Sequence, residues 1–309
     1  MPKKNSQRQI DRLIMNNCKI ANELRKYRDL AGCLNQVSLS GERFRKPRDS
    51  ADYAEYFISD NLTYLDMVAA NAAYTLMVNS PPQVAFQADA IGQIMAGNTG
   101  WRIPKKMKSD LESRLQKLAR TEIYILADHD HQVEQDIYEG TFLPVAWESR
   151  GEKVTFHFLP DKQMPLYQYA EHHRQLIEVP FSRLRDDLNG NRIQHNNTDR
   201  MLALRHYFVQ ELEILRYENN KVKEQQIRLF KKDREGNEMG LLWILGIPDD
   251  PQPPEKPVKD LLPIARRTQT LIQELLDNWQ KSGYLGSLQY EILSDKEGFG
   301  VRISSPSKS

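Results

Sequence analysis

Two cysteines, Cys18 and Cys33, are too few for a disulfide framework or a zinc ligand set, and in a reducing compartment they are free thiols. No apolar run approaches the roughly 18 residues of a membrane span. The N-terminal MPKKNSQRQIDRL has no apolar stretch of the secretory kind. A cytoplasmic protein with no membrane partner is therefore expected. Neither sign of charge dominates: 43 Lys and Arg stand against 42 Asp and Glu, a net charge of +1.

Catalytic signatures are missing as well. There is no GxxxxGK[ST] loop, no GxGxxG after a strand and no HExxH, so nucleotide hydrolysis, dinucleotide chemistry and zinc proteolysis lack their parts. His129-Asp130-His131 places an acid where a paired-histidine metal motif needs an apolar anchor, and it sits in a polar run. His172-His173 falls on a connector helix and reads as surface, while Tyr167 and Tyr169 read as packing residues. The expectation is a non-enzymatic protein with no catalytic residue, no metal site and no cofactor.

What is present is local segregation of charge. Residues 1–50 hold twelve basic residues against five acidic ones, and residues 101–120 hold seven against two. Residues 121–150 are acidic, with seven acids opposed by Arg150 alone. A neutral total can hide basic surfaces fit for a phosphate backbone.

Hydrophobic periodicity orders the chain. A helix is expected over Ser6–Leu30, followed by GERFRKPRDS, a basic arm whose Arg43, Arg45, Lys46 and Arg48 could lie along phosphates or in a minor groove. Ser50–Val78 reads as one or two buried helices. After Pro81-Pro82 comes a short helix with Phe86, Ala90, Ile91 and Ile94 on one side, then a turn at Gly97–Gly100. A basic helix begins near Pro104 and carries Met107, Leu111, Leu115 and Leu118 at helical spacing, passing into the strand Ile123–Leu126. Strands at 140–148 and 153–159 would complete a sheet, with the acidic DHDHQVEQD as a loop. A connector with a short helix leads to a long helix at 197–217. Five prolines between Pro248 and Pro257 make a stiff, extended connection. Last comes an amphipathic helix carrying Ile264, Leu271, Ile272, Leu275, Leu276 and Trp279 on one stripe, with Arg266, Thr270, Gln273 and Asp277 turned outward. Asp260 suits its N-cap and Gly283 its left-handed C-terminal cap. Leu288, Tyr290 and Ile292, then Phe299, Val301 and Ile303, alternate as a β-hairpin about a turn at 294–298.

Short helix, turn, basic helix, strand is the order of a helix-turn-helix leading to a wing. The second half repeats it without residue-level similarity. The fold class expected is α+β: a basic N-terminal helix and arm (1–50), a first winged-helix domain with connector (51–180) and a second winged-helix domain (181–309).

Over about 51–303 this order resembles the iteron-binding replication initiators of plasmids and some phages. The segments that carry the resemblance are TFLPVAWESRGEKVTFHF before PLYQYAEHHRQL, NTDRMLALRHYFVQELEILR, and RRTQTLIQELLDNWQKSGYL before YEIL and GFGVRI. A departure is the modest basic charge of the last helix, where Arg266 and Arg267 are followed by Glu274 and Asp277. The resemblance implies tandem winged helices binding double-stranded DNA at repeated origin sites. It also implies a host replication initiator or helicase as partner, and a homodimer contact in the first module. A DNA-binding reading selects Asn98, Thr99, Arg102, Lys105, Lys106, Lys108, Ser109, Arg114 and Lys117 in the first module, and Arg266, Arg267, Thr270 and Gln273 in the second. Two alternatives remain: a winged-helix repressor bound to a palindrome as a dimer, and a protein-interaction module without DNA binding, which the acidic 121–150 segment favours.

Overall fold

The computed structural model describes residues 10–27, 29–38, 53–81, 84–127, 136–185, 197–217, 224–230, 240–246, 262–295 and 298–305. The basic arm residues Arg43, Arg45, Lys46 and Arg48, the His129–His131 run, the proline-rich connection and Asp260 lie outside them. The fold is mixed α+β.

The chain opens with β1 (Arg12–Asn16), not with the long helix expected over Ser6–Leu30. The reason is tertiary pairing. Leu13 and Met15 are both fully buried, and the strand pairs antiparallel with Leu176–Pro180, in register Leu13 to Val179 and Met15 to Ile177. Helix begins only at α1 (Lys19–Lys26), where the Cys18 sulfur accepts the Ala21 N–H at 3.3 Å. Next comes β2 (Leu34–Ser38). The described residues of 10–38 thus form strand, helix and strand within the folded body.

The 51–78 stretch likewise divides. In β3 (Tyr53–Ile58), Ala54, Tyr56 and Ile58 alternate inward, a period of two hidden in an apolar run. After Asp60–Thr63 comes α2 (Tyr64–Asn79), started by a capping box in which Thr63 and Asp66 satisfy each other's backbone N–H groups. Twelve of its sixteen residues are buried, so it is the central helix of the first half.

Then follow β4 (Ala85–Phe86), α3 (Ala88–Met95) and α4 (Lys105–Arg120), with β5 (Glu122–Ala127) as expected. β6 (Asp136–Thr141) and β7 (Val145–Arg150) replace the single strand expected at 140–148. Pro144 has no N–H for a ladder, and the Phe142 and Leu143 N–H groups donate to Thr121 and Leu118 carbonyls. The chain thereby leaves one sheet for another. It continues through β8 (Lys153–Phe158), α5 (Pro165–His172), β9 (Leu176–Pro180) and a 3₁₀ turn at Phe181–Arg183. The second half comprises α6 (Asp199–Tyr217), β10 (Glu224–Arg228), α7 (Leu241–Ile244), α8 (Leu262–Lys281), β11 (Gln289–Asp295) and β12 (Gly298–Ser304).

The sheet order is β2-β3-β5-β6 in one four-stranded sheet, β4-β8-β7 and β10-β12-β11 in two three-stranded ones, with β1 and β9 as a separate pair. One path therefore occurs twice. In α2-β4-α3-α4-β7-β8 and in α6-β10-α7-α8-β11-β12, the first strand pairs with the third and the third with the second. The first copy differs by carrying β5 and β6 between its last helix and its hairpin. Among the described residues no helix is long and apolar enough to cross a membrane.

Candidate nucleic-acid interface

In α4, Leu111, Leu115 and Leu118 face the core at helical spacing, which turns the rest of the helix to solvent or to its neighbours. Its first turn is basic and holds no acid. Lysines there oppose the positive end of the helix dipole at a cost of a few tenths of a kcal/mol each. Lysines and unsatisfied N–H groups at one end are a good arrangement for an anion. Lys105, Lys106 and Ser109 are exposed there, as are Arg102 and Thr99 in the preceding turn. Arg102, Lys106, Thr99 and the Ser109 hydroxyl make no ion pair or hydrogen bond among the described residues. Lys105 meets Glu152 at 3.0 Å, but the two side chains are 84% and 86% exposed, so the pair contributes little.

Other residues of this set are engaged inside the protein. Arg114 donates to Asp66 Oδ1 at 2.8 Å and to Thr63 Oγ1 at 3.1 Å, and Lys117 Nζ lies 3.1 Å from Asp66 Oδ2. Burial of Asp66 works to raise its carboxyl, but Arg114, Lys117 and the Thr63 N–H outweigh it and hold the group below the ordinary carboxylate range. Arg114 and Lys117 therefore tie α4 to the start of α2. Lys108 pairs with Asp89 in the first turn of α3. The Asn98 Oδ1 accepts the Gly100 N–H at 3.0 Å and shapes the turn before α4.

In α8, Ile272, Leu275, Leu276 and Trp279 of the expected stripe are buried and Ile264 and Leu271 half-buried, with Ala265 and Thr268 buried beside them. Arg266, Thr270 and Gln273 face outward as the periodicity predicts, Asp277 is half-buried, and Arg267 is exposed as well. Arg266, Arg267 and Gln273 have no ion pair or side-chain hydrogen bond among the described residues, whereas the Thr270 hydroxyl donates back to the Arg266 carbonyl at 3.1 Å. Asp277 does not project as a bare charge: it accepts the Tyr290 hydroxyl from β11, turning the acid toward the hairpin. Gly283 ends the helix with φ of +73°, and the Tyr284 N–H donates to the Trp279 carbonyl at 2.8 Å.

Sequence reasoning passes over the β7–β8 turn. It brings Arg150, Glu152 and Lys153, all exposed, beside the start of α4, with Gly151 at φ +62°. The signal available was weak: a glycine between two alternating runs. At the base of the same hairpin the Arg120 guanidinium stacks over Trp147, 5.2 Å from the ring centre. Among the described residues no cluster of three His, Cys, Asp or Glu could hold a metal ion.

No family model and no curated protein matches the chain. Two solved structures of domains 2 and 3 of RctB are similar to it. One aligns over 92% of this chain and 96% of its own at 12% identity with a TM-score of 0.39. The other aligns over 89% and 91% at 10% identity with a TM-score of 0.34.

Proposed function

We propose that the protein is a non-enzymatic, sequence-specific binder of double-stranded DNA, built from two tandem winged helices whose recognition helices are α4 and α8. The observation that carries this reading is the twice-repeated path of helix, strand, two helices and hairpin, with its first-third-second strand order. In each copy the helix before the hairpin or its insert, or the turn leading into it, presents exposed basic side chains with no ion pair among the described residues: Lys106 on α4 and Arg102 just before it in the first copy, Arg266 and Arg267 on α8 in the second. Lysines on α4 suit phosphates, because a point charge neutralises the backbone without reading sequence. Arg266, Arg267 and Gln273 suit base edges, since arginine can take guanine and glutamine adenine through paired hydrogen bonds. Lys153 adds an exposed basic side chain on the wing of the first module, where Arg150 pairs with Glu148 at 3.2 Å and Glu152 with Lys105 at 3.0 Å.

The finer reading is a plasmid- or phage-type replication initiator that binds repeated origin sites, with a homodimer and a host initiator or helicase as further partners. It is supported by the order of elements over 51–303. The test is selection from a random duplex library followed by footprinting. A repeated, directly oriented site clustered in the replicon that encodes the protein supports the initiator, and a single palindrome supports the repressor. No enrichment at all rejects sequence-specific binding.

A further inference from the structure

We propose that α6 couples the two candidate recognition helices at one fixed separation, so that α4 and α8 engage DNA as a unit whose two contact segments cannot be moved apart. The consequence for DNA rests on the reading above. The coupling does not.

Toward the first half, α6 presents Arg205, His206 and Gln210, each 2% exposed or less. His206 Nε2 lies 2.7 Å from the Met95 carbonyl, an acceptor, so the ring carries its proton on Nε2 and donates. Met95 is the last residue of α3, and residues 96–104 then lead into α4. Arg205 donates to the Leu184 carbonyl and to Asn197 Oδ1. Gln210 donates to Asn17 Oδ1, just before α1. Three buried, directional contacts thus fix α6 against the first half where apolar packing alone would tolerate sliding.

Toward the second half, the same helix holds the end of α8 through Tyr284. The Tyr284 hydroxyl donates to Glu213 Oε1 at 3.1 Å, and its carbonyl accepts from Arg216, whose guanidinium lies 4.3 Å from the ring centre. Arg183, from the 3₁₀ turn that closes the first half, stacks on that ring at the same 4.3 Å. Tyr284 is 5% exposed, so both guanidiniums meet a buried ring. One helix therefore holds the approach to α4 through His206 and the exit from α8 through Tyr284.

The test places spin labels at Ser113→Cys on α4 and Gln280→Cys on α8, both exposed, in a Cys33→Ser background, and measures the distance between them by pulsed electron resonance. The expected result is a single narrow distance, kept by Tyr284→Phe, which retains the ring, and broadened by Tyr284→Leu with Arg183→Ala. Arg183→Ala alone serves should the double variant not fold. A broad distance before any change to this contact, or a narrow one after it, overturns the coupling. On DNA, inserting half a helical turn between the two protected segments of a selected site should abolish binding by the unaltered protein and be tolerated by the Arg183→Ala protein. Tolerance by the unaltered protein overturns the fixed spacing. A narrow distance in a protein that binds no duplex overturns the DNA-binding reading while the coupling stands.

Discussion

Arg114 and Asp66 meet at 2.8 Å across the junction of α4 and α2, with Lys117 closing on the other carboxylate oxygen at 3.1 Å. Asp66 is 1% exposed and also completes the capping box with Thr63, so it serves a helix start and an inter-helix tie with one side chain. Asp66→Ala removes the carboxylate half of the capping box and the anion shared by Arg114 and Lys117, and should lower stability by about 2–3 kcal/mol, read from the midpoint of urea unfolding. Arg114→Met should cost about 1–2 kcal/mol and leave the DNA affinity of the folded protein unchanged. A loss of affinity for every duplex at full folding would return Arg114 to the phosphate-contacting set.

Acid should loosen the fold through the same kinds of buried group. Burial is the main cause that pushes His206 down from 6.5 to about 4, with neighbouring Arg205 adding to it and the hydrogen bond to the Met95 carbonyl opposing. A histidine with a depressed folded pKa binds fewer protons folded than unfolded, so its contribution is full above about 6.5 and is lost as pH falls toward 4. The difference amounts to roughly 3 kcal/mol. Asp66, also depressed, adds its loss only below the ordinary carboxylate range. Unfolding free energy measured from pH 7.5 to pH 4 should therefore decline, and His206→Gln should flatten the decline. A decline that the variant leaves unchanged assigns it to other groups.

Gly97, in the turn between α3 and α4, has φ of +62°, and a Cβ there would lie 2.7 Å from the Phe181 carbonyl oxygen. Gly97→Ala meets both a left-handed backbone and a backbone atom that cannot move aside, and should destabilise by about 2 kcal/mol or more. The check is thermal unfolding beside Gly151→Ala, which has the same φ of +62° with nothing within 4 Å. Equal losses would mean that backbone conformation alone sets the effect.

The two candidate recognition helices should fail differently. Lys105→Ala with Lys106→Ala removes point charges, and should weaken binding to all duplexes while lowering the salt slope by about 2. Arg267→Ala should cost about 1–3 kcal/mol at the selected site and less on random duplex. Binding that is unchanged by both would remove α4 and α8 from the interface.

Much of the second half was legible in the sequence. The stripe from Ile264 to Trp279, the cap at Gly283 and the alternation of Tyr290 with Ile292 each belong to one local period, and local periods survive folding. The first half was less legible because its signals depend on distant partners. Arg12–Asn16 is a strand because Leu176–Pro180 lies beside it, 160 residues away in round terms, and Tyr53–Ile58 hides a period of two in a run that also suits a helix. For the site, spacing shows where basic residues stand but not what they meet. Nothing in SRLQKLAR says that Arg114 and Lys117 turn onto a buried Asp66 while Lys106 stays in solvent.

The most direct measurement is fluorescence-anisotropy titration of the protein with a random duplex and with a duplex carrying the selected site, each at low and moderate salt. Tight binding to the selected site, a wide gap over random duplex and a steep fall with salt are predicted, because released counterions drive binding and exposed arginines read the site. Weak binding to both duplexes with no dependence on salt would contradict it, and would mean that the basic faces of α4 and α8 meet protein rather than DNA.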